Sequence, residues 1–347
     1  MSIKPIFNNL PNIALQIHLK NKRLAEEQLW HSLQNNGLVL EYLSEGLKNN
    51  LQVVLTAVKN NGLALKFASK ELQQNLQVVL AAVKRNGSAL KFACDALKNN
   101  EEVVLAAATT NGKALKYASI RLIKDEDFIF TVVKENGLAF EFIPEKLKKN
   151  ERIAKAAIEQ DGVILRYIPK DLTAKKDFML LAIQKDVNVL QIATPNLKDD
   201  PEVILTAMQR NCYSLEYASD RLKDNQDFIL AIIKYNSWSL QYASDRLKNK
   251  REVVLTAVED EGCSLRFASK KLQDNEEVVL AAVKNDGLAL QFASDRLKDQ
   301  KDVVLAALKN TRSAFPYASK RLQSKKPCIS AARGNSNWLT NIKSSLL

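Results

Sequence analysis

Residue types that usually carry metal or redox chemistry are scarce in this sequence. Among its 347 residues there are two histidines, His18 and His31, and neither stands in an H-E-x-x-H motif. The cysteines are widely spaced and form no C-x-x-C pair; they are Cys94, Cys212, Cys263 and Cys328. Such spacing predicts neither a disulfide framework nor a zinc site. We expect four small structural side chains in a reducing compartment, and no metal.

Long apolar runs are also missing. No stretch approaches the roughly 18 to 20 residues that a membrane span requires. Residues 1–25 contain neither a continuous apolar core nor a small-residue cleavage site, so they do not resemble a secretory signal. The sequence therefore predicts a soluble, cytoplasmic protein without a transmembrane segment.

Motifs that hold substrates and cofactors are absent as well. The sequence has no G-x-S-x-G, no G-x-x-x-x-G-K-[ST] and no G-x-G-x-x-G. Carboxylates are plentiful, but they recur periodically, as on a solvated face. We expect no catalytic residues and no cofactor, and we interpret the chain as a non-enzyme.

Positive charge is in excess, and it is concentrated at the ends. The formal net charge is +12 and the pI is about 9.3. Residues 1–25 contain four basic and no acidic residues, and so do residues 324–347. Between them the two signs are interleaved. A basic N-terminal segment suggests weak contact with anionic membranes as one option.

What the sequence does contain is a repeat with a fixed period. A glycine that ends "NNG"-like stretches recurs every 25 residues, and we call its place the marker position. The markers are Gly37, Gly62, Gly87, Gly112, Gly137, Gly162, Val187, Cys212, Ser237, Gly262, Gly287 and Arg312. The register never slips over these twelve repeats, which is typical of repeat architectures. Other positions are numbered from the marker, so that +5, for example, holds Tyr or Phe in every repeat except that of Ile192.

Local chemistry predicts three helical pieces in each repeat. Before the marker, apolar residues such as Val278, Val279, Ala282 and Val283 have helical spacing. An Asn or Asp such as Asn275 precedes this stretch as an N-cap, and we expect the marker glycine to end the helix in a left-handed C-cap conformation. A short helix over "LALKFAS" and a one-turn segment over "SKELQ" then follow. Aromatic residues at +5 are expected to fill the core.

A 25-residue unit cannot bury its own apolar face, so neighbouring repeats must share a core. The predicted fold is all-α: an α-solenoid of about twelve repeats, each with a long helix, a short helix and a one-turn segment. We expect a basic segment at 1–25, tandem repeats over 26–323, and a degenerate thirteenth repeat over 324–347 that caps the C-terminal end.

The repeat unit "EVVLAAVKNDGLALQFASDRLKDQ" resembles a helical repeat family of unknown function. The shared pattern is VVLAAV, then N-G-x-A-L, then [FY]-A-S-x-x-L, and it covers about residues 26–323. That family is associated with bacteria that live inside amoebae and other eukaryotic cells, and with amoebal viruses. The resemblance implies no catalytic residue. It does imply a host-associated setting, in which such proteins are suspected of delivery into a host cell.

Two sets of residues are candidate sites. Tyr213 and Trp238 occupy the +1 position of adjacent repeats whose marker glycine is replaced, and Tyr235 stands close by. We expect these three rings to lie side by side, either as a partner-binding cluster or as packing over an altered turn. The second set is a basic ladder at +9, formed by Arg221, Arg246, Lys271, Arg296 and Arg321. The ladder could follow a phosphate backbone, or it could belong to a mixed-charge face, since Asp precedes three of its arginines.

Two functions remain open at this stage. The repeat architecture favours a non-enzymatic protein–protein interaction scaffold with an unidentified protein partner, acting as a bacterial effector inside a host cell. The alternative is a nucleic-acid-binding α-solenoid that uses the basic ladder.

Overall fold

The computed structural model describes residues 27–333, and every regular element in that range is helical. The predicted all-α class is confirmed. Within these residues no helix is both long and apolar enough to cross a membrane. The predicted basic segment at 1–25 and most of the predicted C-terminal cap lie outside the described residues.

Each repeat opens with a long helix of two to three turns. Residues 27–35 are helical, and the long helices that follow are Leu51–Asn60, Leu76–Arg85, Glu101–Thr110, Glu126–Glu135, Glu151–Gln160, Lys176–Lys185, Pro201–Arg210, Gln226–Ile233, Arg251–Asp260, Glu276–Asn285, Lys301–Asn310 and Lys326–Arg333. In this range the helix Gln226–Ile233 is shorter than its predecessors, with 8 residues instead of 10.

The second piece, predicted as a short helix, is a 3₁₀ helix. These segments are Gly37–Tyr42, Gly62–Phe67, Gly87–Phe92, Gly112–Tyr117, Gly137–Phe142, Gly162–Tyr167, Val187–Ile192, Cys212–Tyr217, Ser237–Tyr242, Gly262–Phe267, Gly287–Phe292 and Arg312–Tyr317. With three residues per turn, the marker and the +3 residue face the same side. Gly62 and Leu65, for instance, are both buried.

The third piece is a single turn, as predicted. The one-turn segments are Glu45–Lys48, Leu72–Gln74, Asp95–Lys98, Ile120–Lys124, Glu145–Lys148, Lys170–Thr173, Pro195–Lys198, Asp220–Lys223, Asp245–Lys248, Lys270–Gln273, Asp295–Lys298 and Lys320–Gln323. Leu72–Gln74 is 3₁₀ and the others are α-helical. Pro144 and Pro169 directly precede two of these turns, where a proline ends the incoming segment without breaking a helix.

The chain divides between Val189 and Leu190 into two compact bodies. In the described range the N-terminal body comprises residues 27–189 and the C-terminal body residues 190–333. Within each body, neighbouring repeats contact each other through their long helices, as Leu51–Asn60 does with Leu76–Arg85 and Arg251–Asp260 with Glu276–Asn285. The predicted apolar stripe forms the shared core; Val278, for example, is fully buried.

The predicted N-caps are present at most long helices. Asn75 accepts a hydrogen bond from the backbone N–H of Val78 at 3.1 Å, and Asn275 accepts the equivalent bond from Val278. The side chains of Lys175, Lys250 and Gln300 occupy the same place without making a capping bond. At Gln300 the side-chain oxygen is buried and has no hydrogen-bond partner.

The marker glycines do not act as left-handed C-caps, so that prediction was wrong. No marker glycine in the described range has a φ in the left-handed region, and the residue before it is extended, with φ −137° and ψ 108° at Asn61. Glycine is required at the marker because a side chain there would collide with the next repeat. A Cβ on Gly62 would lie 2.2 Å from the carbonyl oxygen of Ala82, and one on Gly287 would lie 2.4 Å from that of Ala307. The marker is therefore a close-contact position between repeats.

Backbone hydrogen bonds also join most of the described repeats to the one before them. In the C-terminal body the N–H of Ser244 donates to the carbonyl of Lys223 at 2.9 Å, and the N–H of Ser269 donates to that of Lys248. In the N-terminal body the N–H of Ser69 donates to Lys48 at 3.0 Å. Pro144 and Pro169 fall at this position and have no N–H to donate.

Candidate functional site

The 3₁₀ segments share one pattern of buried and exposed side chains. Their marker, +2 and +3 residues are mostly buried, as Gly62, Ala64 and Leu65 are, whereas the +1 and +4 residues are mostly exposed. The aromatic +5 residues, predicted to fill the core, are only half-buried or exposed throughout residues 27–333. Tyr42 is 82% exposed. That prediction was wrong: the +5 residue shares a side with the buried +2 residue, but it is the last residue of the 3₁₀ segment.

Cationic side chains from the +4 position lie against these half-exposed rings. In the N-terminal body Lys66 Nζ is 5.2 Å from the centroid of the Phe67 ring, and Lys116 Nζ is 5.3 Å from that of Phe142 in the next repeat. In the C-terminal body the Arg266 guanidinium lies 5.1 Å from the Phe267 ring. Such contacts stabilise a cation over an aromatic face. We call this exposed surface the 3₁₀ face.

The three predicted aromatic residues are exposed but do not form one cluster of rings. The exposed fractions are 59% for Tyr213, 95% for Tyr235 and 38% for Trp238. Trp238 packs on Phe267 of the following repeat, with ring centroids 5.6 Å apart at an angle of 71°. The Arg266 guanidinium lies 5.8 Å from the indole. The expected contact between Tyr213 and Trp238 is not among the ring contacts of residues 27–333.

Tyr235 stands two residues before its marker, a position that is exposed in most of the described repeats. In the repeats of Gly62, Gly287 and Arg312 the residue at this place is an asparagine that bridges to the preceding repeat; Asn285 Oδ1, for example, accepts from the backbone N–H of Gly262 at 2.8 Å. In the repeat of Ser237 the helix Gln226–Ile233 stops before this position, which Tyr235 occupies in a turn.

Replacement of the marker glycine is partly compensated by hydrogen bonds. The hydroxyl of Ser237 donates to Asp260 Oδ2 of the next repeat at 2.6 Å. Two neighbouring serines at +2, Ser239 and Ser264, are buried and their hydroxyls have no hydrogen-bond partner in the described chain. The packing around Ser237 thus differs from that at the marker glycines, but it leaves Tyr235 exposed.

Tyr213 belongs to a group of phenols in the C-terminal body. Burial raises the pKa of Tyr242, with smaller contributions from Glu216 and Tyr213 nearby. The phenol oxygen of Tyr217 accepts a hydrogen bond from Gln191 Nε2 at 3.0 Å. These rings and Trp238 make the 3₁₀ face of the C-terminal body rich in aromatic surface.

Four of the five residues in the predicted basic ladder are engaged within the chain. Arg221 Nε donates to Asp199 Oδ2 at 2.7 Å, and its Nη2 donates to the Asp199 carbonyl at 3.0 Å. The same clamp joins Arg246 to Asp224, Arg296 to Asp274 and Arg321 to Asp299. Each aspartate lies 22 residues earlier, in the preceding repeat, and is not the neighbouring Asp of the sequence. These arginines therefore tie repeats together.

The carboxylates of this clamp are held in their charged form. Hydrogen bonds from Ser219 and Arg221 lower the pKa of Asp199, and bonds from Arg246 and Ser244 lower the pKa of Asp224. Lys271, the remaining ladder residue, faces the repeat in which Asn249 takes the place of the aspartate, and it has no ion pair within residues 27–333. A phosphate would have to compete with a bound carboxylate at four of the five positions.

Among residues 27–333 one set of potential ligand atoms is close together. Single ligand atoms from Glu261, Cys263 and Asp286 lie within 4.8 Å of one another. The Cys263 thiol donates to Asp286 Oδ2 at 3.0 Å, and burial together with that carboxylate raises the pKa of Cys263 to about 12. The thiol is thus protonated at neutral pH, which makes it a hydrogen-bond donor instead of a thiolate ligand.

Sequence reasoning missed a polar pair in the one-turn segments. Where +8 is acidic, +11 is lysine, as in Asp95 and Lys98, whose side chains form an ion pair at 3.4 Å. Where +8 is lysine, +11 is mostly glutamine, as in Lys70 with Gln73 and Lys270 with Gln273. The residues at +8 and +11 therefore change together from repeat to repeat. This pattern is visible in the sequence and could have revealed the contact.

These observations place the chain among tandem helical repeat proteins. The family model "Domain of unknown function (DUF4116)" matches residues 26–73, 75–123, 125–173, 175–223, 225–273 and 275–323, so the chain belongs to this family. Each family copy contains two of the 25-residue repeats, and the family therefore counts six copies where the sequence period counts twelve. No curated protein and no solved structure matches the chain.

Proposed function

We propose that the protein is a non-enzymatic interaction scaffold, an α-solenoid that holds a partner protein on its 3₁₀ face. The contact of each repeat with its neighbours within each body supports the solenoid arrangement. The absence of catalytic motifs from the sequence supports a binding function. Solenoids typically bind through residues that vary on a constant scaffold, and the +1 position is such a place.

The observation that carries the proposal is the exposure of Trp238 on a supported platform. A tryptophan that is 38% exposed, backed by Phe267 and flanked by Arg266, has the composition of an interface hot spot. Tyr235, 95% exposed, and Tyr213, 59% exposed, extend the apolar area. Packing alone would not require a phenol ring that is almost wholly in solvent.

Site-specific photo-crosslinking tests this proposal. A photoreactive phenylalanine analogue replaces Tyr235 or Tyr213 in the full chain expressed in a candidate host cell, and Tyr42, also highly exposed, serves as the matched control. We expect one discrete crosslinked protein from positions 235 and 213 that is lost in Trp238→Ala and is not captured from position 42. The proposal fails if all three positions capture the same proteins, or if Trp238→Ala leaves the product unchanged.

The proposal includes action inside a host cell, and its support is the family resemblance alone. A calmodulin-dependent adenylate cyclase reporter fused to the chain measures delivery. We expect host cyclic AMP to rise when the producing bacterium carries a functional secretion system, and to stay at background when that system is disabled. A background signal in both cases would confine the scaffold to the producing cell.

We rank nucleic-acid binding below protein binding because four ladder arginines are already paired with aspartates. The salt dependence of binding to a labelled oligonucleotide tests this ranking. Phosphate contacts would make affinity fall steeply with salt. Tight, salt-sensitive binding that Arg246→Ala and Arg296→Ala abolish would reverse the order of the two proposals.

A further inference from the structure

Two surface grooves, one in each body, are built from corresponding repeat positions. The N-terminal groove lies between the repeats of Gly62 and Gly87, and the C-terminal groove between those of Gly262 and Gly287. Each has a volume of about 550 Å³. In both, a repeat with Lys at +8 and Gln at +11 is followed by one with Asp at +8 and Lys at +11.

A buried glutamine shapes each groove. Gln73 is 8% exposed, and its Nε2 donates to the carbonyls of Leu65 at 3.2 Å and Ala68 at 3.0 Å. Its Oε1 accepts from Lys70 Nζ at 3.3 Å. Gln273, 6% exposed, repeats the arrangement with Leu265 and with Lys270 Nζ at 3.0 Å. The glutamine thus fixes the end of the 3₁₀ segment and positions an exposed ammonium group at the groove.

Both grooves have an excess of positive charge. The N-terminal groove is lined by Lys66, Lys70, Lys91 and Lys98 against one carboxylate, Asp95, which pairs with Lys98. The C-terminal groove is lined by Arg266, Lys270 and Lys298 against Asp295. A half-buried phenylalanine, Phe92 or Phe292, lines each groove beside these cations. The complementary ligand is therefore anionic and has an apolar part.

The position of the cations distinguishes an acidic peptide from a nucleic acid. Stacking of a base requires an open aromatic face. Lys91 Nζ lies 6.0 Å from the centroid of the Phe92 ring, and the Arg266 guanidinium lies 5.8 Å from that of Phe292. A base would have to displace these cations, whereas a carboxylate would bind them where they are. The N-terminal groove also uses lysines alone, without the planar fork that favours phosphate.

We infer that the two grooves are equivalent docking sites for acidic peptide segments in which carboxylates alternate with apolar side chains. Carboxylates of the segment meet Lys70 and Lys91 in one groove, or Lys270 and Arg266 in the other, and an apolar side chain contacts the edge of Phe92 or Phe292 beside the cation. The inference rests on the proposed scaffold function and names the chemistry of its partner. A partner with two such segments could occupy both bodies of one chain.

Binding of a short fluorescein-labelled peptide of alternating Asp and Phe residues to the full chain tests this inference. We expect two sites per chain, and a loss of affinity of at least about tenfold when Asn replaces Asp in the peptide. Lys70→Glu should remove one site, Lys270→Glu the other, and the double variant both. Lys70→Arg should retain binding. Lys134→Glu and Lys309→Glu, exposed lysines of the long helices, make the same change of charge outside the grooves.

Several results would overturn the inference. One is that the Asn peptide binds as tightly as the Asp peptide, and another is that Lys134→Glu and Lys309→Glu weaken binding as much as the groove variants do. The inference also fails if the acidic peptide does not bind at low salt, or if a thymidine oligonucleotide displaces it at a concentration lower than that of the unlabelled peptide. This inference and the scaffold proposal can fail separately, because Trp238, on which the scaffold proposal depends, does not line the N-terminal groove. If the peptide does not bind but the crosslink from Tyr235 persists, the scaffold stands and the chemistry assigned to its partner is wrong.

Discussion

At the scale of single residues, the marker glycines show how one missing side chain sets the distance between repeats. The carbonyl of the next long helix occupies the space that a Cβ would need, as Ala82 does at Gly62. Glycine is required here for close approach and not for its backbone conformation. The positions with Val187, Cys212, Ser237 and Arg312 are thus places where the contact between repeats is built differently.

We expect Gly62→Ala to destabilise the protein by about 1–3 kcal/mol, because the new methyl group meets a backbone carbonyl that cannot move without its helix. Gly46 provides the matched control. It lies within the helical turn Glu45–Lys48, and a Cβ there would contact nothing within 4 Å. Gly46→Ala should stabilise by about 0.5–1 kcal/mol through the lower entropy of the unfolded chain. Chemical denaturation of both variants measures the difference; equal effects would show that the marker has no steric role.

The period in the sequence revealed that these glycines are special but suggested the wrong reason. A glycine after asparagine at the end of a helix is usually interpreted locally, as a C-cap. The contact that requires it is made by a residue 20 positions later, Ala82 for Gly62, and the sequence contains no local sign of that contact. The same limit applies to Arg221, whose partner Asp199 lies 22 residues earlier while Asp220 lies next to it.

At the scale of elements, helix boundaries follow from caps that the sequence shows directly. Asn75, Asn100 and Asn275 each begin a long helix where predicted. The type of the second element was not predictable in the same way, since a segment of six residues is too short to distinguish periods of 3.0 and 3.6. The aromatic +5 residues, predicted to fill the core, are the last residues of these segments and are half-buried or exposed in the described range.

Gln300 lies at the start of a long helix that lacks an N-cap hydrogen bond. It occupies the N-cap of Lys301–Asn310 without capping it, and its side-chain oxygen is buried without a partner. We expect Gln300→Asn to stabilise the protein by about 1 kcal/mol, since Asn supplies the missing bond to the helix and removes the orphan oxygen. Asn275→Ala, at the capped helix of the preceding repeat, should cost about the same amount. Thermal unfolding compares the two, and a destabilised Gln300→Asn would contradict the capping argument.

At the scale of the whole molecule, the two bodies differ in how their repeats are joined. Asp–Arg clamps with a lowered aspartate pKa occur in the C-terminal body at Asp199, Asp224, Asp274 and Asp299. In the N-terminal body, asparagines such as Asn49 and Asn99 take the equivalent positions. Asn99 Oδ1 accepts from Ser119 at 2.6 Å without a titrating group. The charged connection thus occurs at four junctions of the C-terminal body, whereas in the described N-terminal body the aspartate with a lowered pKa is Asp177, which pairs with Lys155.

This difference predicts how acid affects the protein. A carboxyl whose pKa is lowered on folding contributes stability above its unfolded pKa of about 4, and that contribution is lost as the pH falls through the folded value. We expect pepsin near pH 3 to cleave residues 190–333 before 27–189, and the fall in melting temperature between about pH 6 and pH 3 to be smaller in Asp224→Asn than in the unchanged protein. Asp245→Asn, an exposed carboxyl outside these clamps, should retain the full fall. Uniform cleavage of both bodies would contradict the prediction.

The function of the whole molecule is the part least visible in the sequence. Composition and periodicity predicted an all-helical repeat protein, and the family match confirms tandem repeats. The grooves with Lys70 and Lys270 depend on which side of a 3₁₀ turn each residue faces. The sequence does not show which side that is, and the grooves are visible only in the structure, where neighbouring repeats pack together.

The prolines at 144 and 169 affect how the N-terminal body would respond to tension. Every repeat from Ser219 to Ser319 is joined to its predecessor by the same backbone hydrogen bond, 2.9 Å long in each case. At Pro144 and Pro169 this bond cannot form, and side-chain contacts take its place, such as the hydrogen bond from Asn136 Nδ2 to the Ala108 carbonyl at 2.7 Å and the ion pair of Arg152 with Asp127 at 2.8 Å. If a partner pulled on both ends of the chain, these two junctions would separate first, and the protein would lengthen in steps instead of breaking as one block.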